Sequence, residues 1–153
     1  MDWLPIIDID WPQVADHSAR LVVAYMLALP IGWERELSER QFGLRTFPLV
    51  AVVTCGFMLV GIAVIGSTGG EARVIQGIIT GIGFIGGGAI VKDKDKVSGV
   101  SSAASIWNTG AIGLAVAFNR FEIAVLLSAL NLFTLFVFGS VKRKVESNEN
   151  DGD

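Results

Sequence analysis

Long runs of apolar residues dominate the pattern along this chain. Four of them contain no charged residue and are 18 to 22 residues long: residues 47–66, 74–91, 97–118 and 123–141. A shorter apolar run covers residues 21–33 and leads directly into charged residues. A helix needs about 20 residues to cross roughly 30 Å of hydrocarbon. The pattern therefore predicts about five transmembrane helices, the first of which ends in charged residues close to the membrane.

The fold class follows from the hydrogen bonds that backbone N–H and C=O groups need in lipid. Helices and closed barrels are the structures that supply these bonds across a membrane. The runs lack the period-2 polar alternation of barrel strands, and 52% of all residues are hydrophobic. We therefore expect an all-α integral membrane protein with a helix bundle at residues 19–141. An external or interfacial N-terminal segment, residues 1–18, is expected before it, and a polar cytosolic tail, residues 142–153, after it.

The placement of basic residues predicts the orientation. If five helices alternate, nine Lys and Arg residues fall on one face of the membrane and three on the other. Since basic loops mark the cytoplasmic face, the N-terminus is expected outside and the C-terminus inside. Residues 1–18 contain no Lys or Arg and so lack the basic region of a cleavable signal peptide. Trp3 and Trp11 indicate that this segment rests at the membrane interface.

The run at residues 74–91 is rich in glycine. Gly81, Gly83 and Gly86 have the G-x-G-x-x-G spacing of dinucleotide-binding loops, but no strand precedes them and nucleotide binding is not expected. Small residues four positions apart let membrane helices approach closely, so this helix is predicted to be central. The predicted helix-packing glycines are Gly77, Gly81, Gly83, Gly86, Gly87 and Gly88. The last three leave two readings open: an intact, closely packed helix, or a break that exposes backbone groups to a ligand.

Two further patterns concern polar residues. Ser98, Ser101, Ser105 and Asn108 recur at spacings of three and four, which places them on one helix face. This stripe is either hydrogen-bonding contact between helices or the wall of a hydrated or ligand-facing surface. Residues 92–96 alternate Lys and Asp and are predicted to form a solvated cytoplasmic turn.

The end of the first apolar run carries the strongest signal for a functional site. A span of about 17 residues counted from Ala19 reaches Glu34 and Arg35. Charges persist in a membrane when they are paired or hydrated, and Pro30 frees a carbonyl in the same turn. The alternative is an interfacial cluster whose side chains snorkel to water. The predicted polar cluster consists of Glu34, Arg35, Glu36, Arg45, Thr46, Ser101, Ser105 and Asn108.

Several classes of function lack sequence support. No His, Cys, Asp and Glu group has the spacing of a metal site, and no catalytic triad, Walker loop or basic-aromatic stripe is evident. We therefore expect no enzyme activity, no cofactor, no metal centre and no nucleic-acid partner. The single cysteine, Cys55, cannot form an intrachain disulfide.

A combination of motifs resembles the MgtC/SapB family. It consists of G-W-E-R-E at residues 32–36, G-L-R-T at residues 43–46, the glycine run at 81–90 and the Ser-, Ala- and Gly-rich segment at 97–116. The resemblance covers roughly residues 21–138. It implies a multi-pass protein of the bacterial inner (plasma) membrane with about five transmembrane helices. Members often carry a C-terminal cytosolic domain, and this chain is expected to be a short form without it.

The resemblance also implies a physiological setting without fixing an activity. Members are linked to magnesium limitation, acid stress and virulence-related growth inside macrophages. They have been described as magnesium transporters, and some are thought to restrain the ATP synthase through contacts in the membrane. These properties are expectations for this chain.

Two functions remain open. The favoured one is a regulator of ion homeostasis or membrane energetics that contacts a larger membrane complex such as ATP synthase, because the sequence lacks a complete transport site. The alternative is a transporter or channel subunit for a cation such as magnesium or another small solute, with Glu34, Arg35, Arg45 and Asn108 around a polar site. Five helices are few for a translocation path, so a homo-oligomer, most simply a dimer in the lipid bilayer, is expected.

Overall fold

The chain forms five helices and one short hairpin in a computed structural model that describes residues 9–38, 42–65, 67–93 and 96–150. The elements are α1 (Trp11–Ser38), α2 (Thr46–Ile65), α3 (Thr68–Gly88), β1 (Val91–Asp93), β2 (Lys96–Ser98), α4 (Val100–Ala117) and α5 (Phe121–Asn150). The predicted all-α membrane protein with five helices is confirmed. The orientation of its termini stays a prediction.

Within the described residues, four helices are long and apolar enough to cross a membrane: α1, α2, α4 and α5. Helix α3 has a sufficient length of 21 residues, but Glu71, Arg73 and its glycines lower its hydropathy. The chain is therefore a multi-pass membrane protein, and its glycine-rich helix is not among the long apolar helices found in the described residues.

Helix α4 occupies the centre of the bundle and packs against α1, α2, α3 and α5. Ten of its 18 residues are buried. A Cβ atom at Gly113 would collide with the carbonyl oxygen of Ala51 in α2, and one at Gly110 would collide with the side chain of Ile82 in α3. The glycines of α4 thus allow two neighbouring helices to approach its backbone directly.

Large apolar side chains fill the space between α1, α2 and α4. The fully buried members of this core include Ile31, Phe47, Met58, Ile112 and Val116. Protein interiors of this kind are packed as densely as organic crystals. The centre of a single chain is therefore mainly apolar and closely packed, with the side chains of Thr54, Ser102 and Thr109 buried in it.

Helix α3 lies at the edge of the bundle, so the prediction that it is central is wrong for the single chain. Its buried residues are Ile78, Ile82 and Gly86. A Cβ atom at Gly86 would lie 3.2 Å from the carbonyl oxygen of Ala103. The remaining predicted packing glycines have open space where a Cβ would be: Gly77, Gly81, Gly83, Gly87 and Gly88. The helix continues unbroken through Gly88.

A two-stranded antiparallel hairpin connects α3 to α4, with Lys92 of β1 opposite Val97 of β2. The predicted helical runs at 74–91 and 97–118 are therefore too long at this end. Ser98 lies in β2, so its predicted place on the helix face of Ser101 is wrong. Gly99 adopts a left-handed φ of 81° before α4, a conformation that glycine adopts without steric cost.

The outer helices extend beyond the apolar runs. Helix α1 begins at Trp11, where Asp10 caps it by accepting a hydrogen bond from the backbone N–H of Gln13 at 3.3 Å. It thus includes part of the segment expected outside the bundle. Trp11 is exposed, whereas Trp3 lies outside the described residues. Helix α5 continues to Asn150, so residues expected in the polar tail prolong that helix.

Replacing Gly113 by Val tests the close packing of α4. The new side chain would overlap α2, and we expect the free energy of unfolding to fall by about 1–3 kcal/mol. Gly77→Val is the matched control, because its side chain would enter open space and should change stability by no more than about 0.5 kcal/mol. Unfolding in detergent micelles, followed by circular dichroism, measures both. Equal effects of the two variants would contradict the central position of α4.

Candidate functional site

The charged end of α1 is buried, with Glu34 and Arg35 only 7% and 4% exposed. Successive helix residues do not normally face each other, yet Nε of Arg35 donates to Oε2 of Glu34 at 2.6 Å. The hydroxyl of Ser38 donates to the other carboxylate oxygen, Oε1, at 2.7 Å. Both oxygens of Glu34 are therefore hydrogen-bonded inside the protein, and the pair is not a cluster snorkelling to the surface.

The loop between α1 and α2 folds back closely onto this end of α1. A carboxylate oxygen of Glu36 accepts a hydrogen bond from the backbone N–H of Leu44 at 3.1 Å. A Cβ atom at Gly32 would lie 3.2 Å from the carbonyl oxygen of Gly43, and one at Gly43 would collide with the side chain of Glu36. The two glycines thus explain physically why G-W-E-R-E and G-L-R-T occur together: each leaves room for the other segment.

The remaining residues of the G-L-R-T segment lie beside the ion pair without joining it. The side chain of Arg45 is exposed, and Arg45 forms no ion pair with the described residues. Thr46 begins α2, and its backbone N–H donates to the carbonyl of Gly43 at 3.0 Å. Glu39, a further acidic residue that the sequence places in this loop, lies outside the described residues.

The second group of predicted polar residues lies between α4 and α5. The hydroxyl of Ser105 donates to Oδ1 of Asn131 at 3.0 Å. The amide of Asn108 donates to the carbonyl of Leu127 at 3.3 Å. Ser101 is exposed on the same side of α4. The predicted polar cluster is therefore divided into two groups, one at the end of α1 and one along the contact between α4 and α5.

Three polar residues that the sequence analysis did not single out connect the helices. Asn131 binds Ser105 as described, and the hydroxyl of Ser128 donates to the carbonyl of Leu27 at 2.7 Å. Nη1 of Arg20 donates to the carbonyl of Ala117 at the end of α4 at 3.0 Å. A signal existed for the two α5 residues, because Ser128, Asn131 and Thr134 recur every third position. Both residues lie within the charge-free run at residues 123–141, which uncharged polar side chains do not interrupt.

No group of three or more His, Cys, Asp or Glu residues in the described ranges is placed to hold a metal ion. The group at the end of α1 holds one carboxylate and one guanidinium inside the protein. The group along the contact between α4 and α5 presents amide and hydroxyl groups toward the outside of the bundle.

A double-mutant cycle on Glu34 and Arg35 tests the buried ion pair. Each change to Ala removes the opposite charge that lies 2.6 Å from the remaining one, so each should lower the free energy of unfolding by about 3–5 kcal/mol. The double variant should lose less than the sum of the single losses. Arg45→Ala, which removes an exposed arginine from the same end, is the control and should cost no more than about 0.5 kcal/mol. Additive single effects would show that the two charges do not stabilise each other.

Comparisons with known proteins give a consistent result. A model of the MgtC family matches residues 21–144. SrpB of Synechococcus elongatus is 32% identical over 139 residues, which cover 82% of this chain and 76% of that protein. YhiD of Escherichia coli K12, named as a proposed magnesium transporter, is 33% identical over 133 residues, covering 82% of this chain and 62% of that protein.

A third relative, MgtC of Brucella abortus, is 38% identical over 104 residues, which cover 68% of this chain and 43% of that protein. The chain thus spans less than two thirds of the length of YhiD and of this MgtC protein. No solved structure matches the chain significantly.

Proposed function

The chain belongs to the MgtC family, and on that premise we propose that it is a regulator in the bacterial inner membrane. In this proposal it adjusts ion homeostasis or membrane energetics under magnesium limitation, acid or virulence-related stress. The name of its relative YhiD supports the connection with magnesium. It acts by binding a larger membrane complex, for which ATP synthase is the first candidate to test.

The open face of α3 supports action by lateral contact. Gly77 and Gly81 form one small-x-x-x-small pair, and Gly83 and Gly87 form a second. None of these positions would bring a Cβ atom within 4 Å of another part of the described residues. Faces of this kind allow another helix to pack closely in lipid. The pair Gly77 and Gly81 also borders an apolar groove of about 400 Å³ between α2 and α3.

The packed centre of the bundle supports the same choice. A hydrated path through one chain would have to cross the core formed by residues such as Ile31, Met58 and Ile112, which are fully buried. The buried carboxylate of Glu34 is occupied by Arg35 and Ser38. These features favour a protein that acts through its outer surfaces.

Enlarging the α3 glycines tests lateral binding. We expect Gly83→Leu and Gly87→Leu to lower the recovery of ATP synthase with the tagged protein from native membranes by about tenfold, since bulk would separate the helices. Both side chains would enter open space, so membrane insertion should be unchanged. Ala129→Leu on the exposed side of α5 is the control and should leave recovery intact. Unchanged recovery with both glycine variants would count against this contact surface.

Transport is the second candidate function, and one observation favours it. An ionisable pair within a membrane helix commonly marks an ion or solute pathway, and Glu34 and Arg35 form such a pair in the described part of the chain. The name of YhiD, a proposed magnesium transporter, points the same way.

Reconstitution in sealed vesicles with a magnesium reporter separates the two functions. The regulator proposal predicts vesicles that remain tight to Mg²⁺ with wild-type protein, because the centre of the chain is packed. Flux that is lost in Glu34→Gln but kept in Glu122→Gln, an exposed carboxylate, would instead establish transport and overturn the regulator proposal.

A further inference from the structure

A groove of about 340 Å³ on the outer side of α4 and α5 carries polar groups where the helices span the membrane. Asn108 lies near the middle of the span Val100–Ala117, and Asn131 lies near the middle of the span Phe121–Gly139. Both residues line the groove. Hydrocarbon offers them neither donors nor acceptors. The groove therefore differs from an ordinary lipid-facing surface.

The groove holds hydrogen-bonding capacity that the chain does not use. Nδ2 of Asn131 is buried and has no partner among the described residues, although Oδ1 of the same side chain accepts from Ser105. Asn108 uses its amide N–H toward Leu127, while its carbonyl oxygen accepts no hydrogen bond within the described ranges. Nδ2 of Asn131 has no surface that a second molecule could reach. The usable capacity lies on Asn108, whose carbonyl oxygen and second amide N–H are both unpaired within the described ranges.

Small residues make this face accessible to another helix. Ser101 and Ala104 are exposed and line the groove, and Ser105 follows one turn after Ser101. A small-x-x-x-small pattern with adjacent hydroxyl groups is typical of helix contacts in membranes. The hydroxyl of Ser101 has no partner among the described residues, so it is available for such a contact.

We propose that this groove binds a second copy of the chain in a two-fold symmetric dimer. A two-fold axis along the membrane normal keeps every residue at its own depth. The mid-membrane amide of Asn108 would then meet the same amide of the second copy, where the second N–H of each can donate to the carbonyl oxygen of the other. An isologous contact requires such a self-complementary surface. The groove meets this requirement, whereas lipid would leave the carbonyl oxygen of Asn108 unpaired.

This contact uses the α4 and α5 face and is independent of the α3 face proposed to bind a larger complex. An experiment that contradicts one of these contacts therefore does not contradict the other. The dimer also leaves the glycines of α3 free, so a dimer could present two such faces to partner complexes.

Cysteine crosslinking in reconstituted vesicles that contain only this protein tests the dimer. In a Cys55→Ala background, single cysteines replace Ser101, Leu130 and Thr134 at the groove. Phe57→Cys on α2 is the matched control, because Phe57 and Leu130 are 62% and 61% exposed and both lie near the middle of their apolar spans, Thr46–Ile65 and Phe121–Gly139. We expect oxidation to yield at least roughly tenfold more disulfide-linked dimer from a groove cysteine than from Phe57→Cys, since a disulfide requires Cα atoms about 4–7 Å apart.

Bulky substitutions on each face identify the contact. Ala104→Leu introduces a larger side chain at an exposed position of the groove. Because it would hold the two copies apart, it should reduce crosslinking by roughly tenfold. Gly81→Leu, which enters open space on α3, should leave it unchanged. Equal or stronger crosslinking from Phe57→Cys, or no dimer from any groove cysteine, would overturn the proposal. Crosslinks that form only in native membranes and join a different protein would also overturn it.

Discussion

The approach of α4 to its neighbours is the constraint on which the rest of the structure depends. Apolar helices gain no hydrophobic driving force from each other in lipid, so packing and hydrogen bonds must hold them together. Gly113 brings α4 against Ala51 of α2, and Gly110 admits Ile82 of α3. At the far end of α4, Arg20 of α1 donates to the carbonyl of Ala117. The glycine side of α4 thus builds the core, and its hydroxyl and amide side faces α5.

The ion pair at the end of α1 satisfies a different constraint. Two charges taken out of water are tolerated when each has partners, and Glu34 has both Arg35 and Ser38. The adjoining loop is fixed by Gly43 and Glu36, so the charged end of α1 and the start of α2 form one compact unit. With this unit occupied and the centre packed, the two contact surfaces that we propose are the outward faces of α3 and of the α4 and α5 pair.

Sequence reasoning predicted the helices well because the thickness of the bilayer dictates their length and excludes charge. It failed to predict which helices contact each other, because the spacing of residues along one helix does not contain that information. Glycine spacing in α3 indicated a surface that permits close approach, but spacing does not tell whether the approaching helix belongs to the same chain. The hairpin before Gly99 was missed because its strands have three residues each. Asn131 was missed because an uncharged amide does not interrupt an apolar run.

One chain forms a closely packed bundle, and we propose that it acts through its outer faces. Cys55, the single cysteine of the chain, is fully buried in α2 and reports on this claim without any substitution. The direct measurement is the rate at which a cationic methanethiosulfonate reagent modifies Cys55 in vesicles and after denaturation. We expect modification only after denaturation. Rapid modification of the native protein would show that water reaches the core and would contradict a closely packed bundle.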